Sequence, residues 1–120
     1  MECSMTPWNK DTLLQRVINN QPIFITLLTV FIETIPKLVE QLDQAILVGN
    51  FTEIESLAHN LKGTSYNVTA NIVGDIAKEI EFASKRQDIK CIKKDRLILQ
   101  RELARVISAF SDELVKNNNL

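Results

Sequence analysis

The stretch Ile54-Glu55-Ser56-Leu57-Ala58-His59-Asn60-Leu61-Lys62-Gly63-Thr64-Ser65 decides how this chain is read. An α-helix turns about 100° per residue. On that wheel Ile54, Leu57, Ala58, Leu61, Ser65 and Val68 share a band roughly 100° wide, the apolar stripe of a helix facing a core. His59, the only histidine in the chain, lies roughly 140° from the centre of that band. Its imidazole therefore points at water, with Lys62 beside it and Gly63 one turn on. An exposed imidazole between a cation and a residue without a side chain suits the arrival of something large and anionic.

Outward from this helix the same periodicity repeats. Asn50 is a candidate N-cap, with Glu53 as capping-box partner, and the helix runs to about Asn67. Upstream, Phe24, Leu27, Leu28, Phe31, Ile35, Leu38, Leu42, Ala45 and Ile46 recur at three- and four-residue steps, predicting a long helix from Pro22 to Gly49. Pro36 lies inside it and predicts a bend, since the pattern stays in phase across it. A short helix capped by Asn9 or Asp11 precedes it and runs to about Asn19. Downstream, Thr69 or Ala70 opens a helix to about Lys85, with Val73, Ile76, Ala77, Ile80 and Ala83 inward. A last helix spans about Ile89 to Val115, with Ile92, Leu99, Leu103, Val106, Ile107, Phe110 and Leu114 on one face. Trp8 and the phenylalanines are expected in the core or at its ends. Four long amphipathic helices joined by short connections predict an all-α, antiparallel four-helix bundle with a short additional N-terminal helix. Residues 1–8 are read as an extension or linker remnant, 9–116 as the bundle and 117–120 as a frayed polar tail.

Composition narrows the function. The chain has 120 residues, 45% hydrophobic and 24% charged, with net charge −1, which fits one globular domain. Acids and bases are interleaved with no basic block, so nucleic acid is a disfavoured partner. The apolar run from Pro22 to Ile32 falls short of the roughly 20 residues a bilayer requires, and no secretory signal precedes it. Membrane insertion is therefore not expected. Cys3 and Cys91 form no CxxC spacing, which favours reduced thiols and a cytosolic setting.

The chemistry around His59 narrows it further. One histidine and two distant cysteines cannot assemble a His/Cys zinc centre. Ser56 stands where a Glu-x-x-His di-iron motif needs its acid, so no metal site is expected. No glycine-rich nucleotide loop is present, so any phosphoryl group handled here is delivered by another protein. An imidazole is substantially neutral near pH 7 and nucleophilic. Lys62 could stabilise the charge of a transferring phosphoryl group, and Gly63 leaves room for a partner's active site to close over the ring. Ser56, Asn60, Tyr66 and Asn67 surround the site and are candidates for partner contact.

With His59-Asn60-Leu61-Lys62-Gly63-Thr64-Ser65 followed by Val68, Ala70, Val73, Ala77 and Ile80-Glu81, the chain resembles the histidine-containing phosphotransfer (HPt) domains of multistep phosphorelays over roughly residues 10–115. The resemblance implies a four-helix bundle that carries a phosphoryl group between receiver-domain aspartates and is not itself an enzyme with turnover. It implies that His59 is the phospho-acceptor, Lys62 the charge-stabilising residue and Gly63 the clearance residue. Glu81, where the family often has Gln or Glu, would orient the imidazole. Partners would be response-regulator receiver domains. No cofactor is expected on this chain, and the Mg²⁺ of transfer belongs to the receiver. A monomeric, cytoplasmic module follows, either free-standing or the C-terminal domain of a hybrid sensor histidine kinase tethered to the inner membrane. The alternative is a docking or adaptor bundle that binds receiver-like partners without accepting phosphate. Thr69-Ala70 departs from the Gly-Ala or Gly-Leu common after the active helix. A left-handed residue there would be costly for a β-branched side chain, so either the turn differs or Thr69 caps the next helix.

Overall fold

The computed structural model describes residues 6–118. Five helices follow one another in order: α1 Lys10–Arg16, α2 Gln21–Val48, α3 Phe51–Asn67, α4 Asn71–Lys85 and α5 Ile89–Asn118. Each long helix packs on its neighbour in the chain, and α5 closes back on α2. Arg96 of α5 holds Asp43 of α2 with two hydrogen bonds of 2.6 and 3.0 Å, while Phe110 meets Phe31 edge-on at 5.3 Å. Those pairings run in opposite chain directions, so α2 and α5 are antiparallel. The expected four-helix bundle with a short extra helix is the fold observed.

The predicted stripes form its core. Phe24, Leu28, Phe31, Ile35, Leu38, Leu42 and Ala45 of α2 are buried against Ile54, Leu57 and Leu61 of α3, with Ile80, Leu99 and Phe110 from the later helices. Burying each such leucine, isoleucine or phenylalanine stabilises the fold by about 1.5–3 kcal/mol. Trp8 packs against Phe24 at 6.0 Å and Phe110 at 4.8 Å. The extension expected over residues 1–8 therefore contributes its tryptophan to the bundle end; residues 1–5 lie outside the described residues. Phe82 does not join the core. It is 41% exposed, with the Lys85 ammonium 5.8 Å above its ring.

Helix α2 runs unbroken through Pro36. The proline lies on the exposed side, where water can satisfy the carbonyl that loses its partner. By length and composition α2 is also apolar enough to cross a bilayer, which the sequence reading missed by measuring only the unbroken apolar run. Its core-facing residues are buried in the bundle. Helix α5 continues three residues past the expected Val115, and Asn117 donates to the Glu113 carbonyl at 2.8 Å. That part of the expected frayed tail is helical.

Helices α2, α3 and α4 end with one closure. The amides of Asn50, Ala70 and Asp88 each reach back five residues, to the carbonyls of Ala45, Ser65 and Ala83. The residue before each is left-handed: Gly49 at φ 72°, Thr69 at 61° and Gln87 at 58°. This is the Schellman arrangement, which favours glycine because a Cβ there costs roughly 1–2 kcal/mol. Helix α1 ends at Arg16, short of Asn19, because Ile18 and Asn19 are themselves left-handed. At the start of α3 the Asn50 side chain accepts from the Glu53 amide at 3.1 Å. The Asn50 amide is already committed to Ala45, which leaves no role for the reciprocal half of the capping box.

Thr69 resolves the question the sequence raised. The left-handed turn is kept, Ala70 rather than Thr69 is the N-cap of α4, and that cap makes no side-chain hydrogen bond. The buried Thr69 hydroxyl accepts from the Asn9 amide and donates to the Asn9 carbonyl, both at 2.9 Å. Asn9 is in turn the cap of α1, accepting from Thr12 at 3.0 Å. Arg16, at the other end of α1, donates to the Tyr66 carbonyl at 2.9 Å. The short helix is thus fastened across the end of α3, and the fastening offsets the backbone cost of a threonine at that turn.

Candidate functional site

Three cross-links set the register of the antiparallel α3–α4 pair. At one end Lys85 lies 3.8 Å from Glu55. At the other, the Tyr66 hydroxyl donates to Asp75, and the Tyr66 ring lies against Gly74, where a Cβ would overlap ring carbons. Between them sits Glu81, only 6% exposed, projecting from α4 towards α3. Its Oε2 is 3.0 Å from His59 Nδ1, and its Oε1 is 2.8 Å from Lys62 Nζ.

This geometry sets the orientation of the imidazole. Burial works to raise the pKa of Glu81, but contact with Lys62 and His59 and their charges outweigh it and hold the carboxyl below the ordinary glutamate range. An ionised carboxylate only accepts hydrogen bonds. Nδ1 therefore donates to Oε2, and in the neutral ring this places the lone pair on Nε2. The histidine side chain is 68% exposed, so that lone pair is presented to solvent. The Lys62 ammonium meets Oε1 as a charge contact outside hydrogen-bond geometry, and no other donor among the described residues reaches that buried oxygen.

Gly63 faces open space: a Cβ built there meets nothing within 4 Å. Nothing in the fold requires a glycine at that position. Ser56 and Asn60 are exposed within one turn of His59, and Asn60 accepts from the Thr64 hydroxyl at 3.3 Å. Tyr66 is half-buried, its ring and hydroxyl engaged by α4. Asn67 is exposed at the far end of α3, with its carbonyl 3.5 Å from Arg16. The structure thus brings His59, Lys62 and Glu81 together, leaves Ser56, Asn60 and Gly63 open around them, and assigns Tyr66 a packing contact. Sequence reading did not single out Phe82 and Lys85. They follow Glu81 by one and four residues, on the rim where Lys85 meets Glu55. Among the described residues no group of three or more His, Cys, Asp or Glu side chains could hold a metal ion.

The fold is a helical bundle that presents one imidazole from mid-helix, backed by a buried carboxylate. The Hpt domain model matches residues 26–110, and the chain belongs to that family. The fold is similar to histidine-containing phosphotransfer protein B (HptB) from Pseudomonas aeruginosa PAO1, with a TM-score of 0.87 and 22% identity, covering 94% of this chain and 98% of that one. It is also similar to the HPT domain from the Hpt sensor hybrid histidine kinase from Shewanella, with a TM-score of 0.80 and 25% identity, covering 92% and 95%. No curated protein sequence matches. Membership makes the chain a phosphotransfer module of two-component signalling, a family whose members are phosphocarriers that meet response-regulator receiver domains.

Proposed function

We propose that His59 carries the phosphoryl group, accepting it at Nε2 from the aspartyl phosphate of one receiver domain and passing it to the aspartate of another. The observation that carries this reading is the 3.0 Å contact of Glu81 with Nδ1, which leaves Nε2 as the exposed nucleophile. In the forward step the Nε2 lone pair attacks phosphorus and a P–N bond forms. The P–O bond to the donor aspartate breaks, and its carboxylate leaves with the electron pair. The proton on Nδ1 stays in place, so the ring becomes cationic while the Glu81 carboxylate faces it. In the return step an aspartate oxygen attacks phosphorus and the P–N electron pair goes back to Nε2. Mg²⁺ belongs to the receiver in this scheme. Glu81 is a positioning residue, Lys62 faces the transferring group, and Ser56, Asn60 and Gly63 line the contact. The relative that belongs to a hybrid sensor kinase supports the same parentage for this chain.

Transfer from a phosphorylated receiver domain with Mg²⁺, compared between the wild type and His59→Gln, tests the reading. Acid-labile, alkali-stable label on the wild type and none on the variant is expected. Equal labelling of both would move the acceptor elsewhere. No label on either, across several receivers and with both proteins folded, would leave a docking bundle.

A further inference from the structure

The Glu81 carboxylate has two ends, and only one of them is used by the imidazole. Oε2 accepts the Nδ1 hydrogen bond, whereas Oε1 is sealed from solvent and, among the described residues, is met only by the Lys62 ammonium at 2.8 Å. Lys62 is itself only 24% exposed, so the resting site holds it inward against α4. A buried carboxylate oxygen that loses its ion-pair partner is costly.

We propose that Glu81 competes with the phosphoryl group for Lys62 and thereby shortens the lifetime of the phosphohistidine, making this module one that hands on its phosphoryl group rather than storing it. The inference rests on the reading of His59 as phospho-acceptor. When a phosphoryl dianion sits on Nε2, Lys62 faces two anions with one ammonium. If it remains on Glu81, the phosphoryl oxygens go without the lysine's charge. If it swings outward, Oε1 is left buried and unpaired. Either arrangement raises the free energy of the phosphorylated state relative to a site whose lysine is free. An amide in place of the carboxylate removes the competition. Its carbonyl can still accept from Nδ1–H, while its NH₂ group has no attraction for the ammonium.

The test follows the loss of label from isolated phosphorylated protein in the wild type, Glu81→Gln, Lys62→Gln and the double variant. Circular dichroism confirms each fold, and ¹⁵N shifts of the His59 ring report its tautomer. Glu81→Gln is expected to lengthen the phosphohistidine half-life by roughly three- to tenfold, the range of one ordinary polar contact, with the Nδ1–H tautomer kept. In the Lys62→Gln background the lengthening is expected to vanish or reverse, because there is no lysine left to release and the carboxylate's contact with the cationic ring is lost. An unchanged or shortened half-life in Glu81→Gln overturns the proposal. So does equal lengthening in both backgrounds, which would place the effect on the ring instead of the lysine. Failure of the wild type to take label from any receiver would remove the phospho-acceptor reading and this inference together, whereas a labelled wild type with an unaltered variant removes the inference alone.

Discussion

Gly63 and Gly74 both lie inside helices, where glycine costs about 1 kcal/mol against alanine, and they are there for opposite reasons. At Gly74 the fold itself forbids a side chain: a Cβ would enter the Tyr66 ring and separate α4 from α3. At Gly63 a Cβ would touch nothing, and the vacant space lies beside His59. One glycine serves the packing of this chain, and the other has open space beside it, where the proposed receiver contact would lie. A helical glycine with empty space around it is therefore a better pointer to a partner than one with none.

The contrast can be broken by substitution. Gly74→Ala should destabilise the bundle most, by about 3 kcal/mol from overpacking, read as a lowered midpoint in urea unfolding. A midpoint close to wild type would mean that Tyr66 swings aside freely. Next in size is Thr69→Val, which keeps the β-branch but leaves the Asn9 amide and carbonyl without their partner. It should cost about 2 kcal/mol. Thr69→Gly should cost less, because it relieves the left-handed backbone while losing the same hydrogen bonds. Were the glycine variant the weaker of the two, left-handed backbone strain would not be what separates them.

Gly63→Ala reverses the sign. It should stabilise the fold by up to about 1 kcal/mol while slowing phosphoryl transfer from a receiver domain. An alanine variant that transfers at the wild-type rate would deny Gly63 its part in the contact. The smallest effect is spectroscopic. Burial raises the pKa of Tyr66, and the hydrogen bond and charge of Asp75 add to it, taking the phenol from 10.0 to about 12. A raised pKa contributes stability that is complete below the ordinary value and is lost as pH climbs towards about 12. Tyr66 is the only tyrosine, so ultraviolet absorbance reads its ionisation directly. Asp75→Asn should bring the midpoint down; an unmoved midpoint would disprove the coupling.

The helices and the outward face of α3 were legible because both are written in local spacing. Periodicity placed His59 outward, and Asn50 and Gly49 marked a helix start and stop through their own conformational preferences. What could not be read depends on residues far apart. Thr69 tolerates a glycine's conformation because of Asn9, and Gly74 needs Tyr66 to explain it. Lys10 and the buried Glu113 pair at 2.7 Å across the two ends of the chain, and neither carries a local signal. The link between Lys62 and Glu81 lies between these cases: resemblance placed Glu81 near the imidazole, but only the structure shows its second oxygen turned to the lysine.

The tie between Thr69 and Asn9 spans 60 positions, whereas α3 and α4 are joined through a turn of residues 68–70. During synthesis from the N-terminus, Asn9 leaves the ribosome long before its seat at residue 69 exists. Closing so long a loop costs more chain entropy than closing the local turn. Helix α1 is therefore expected to dock late in folding and to detach early on unfolding, with amides that exchange with solvent sooner than those of α3. The α3–α4 face would then be assembled by the later helices, and the first of these five helices made would be the last put in place.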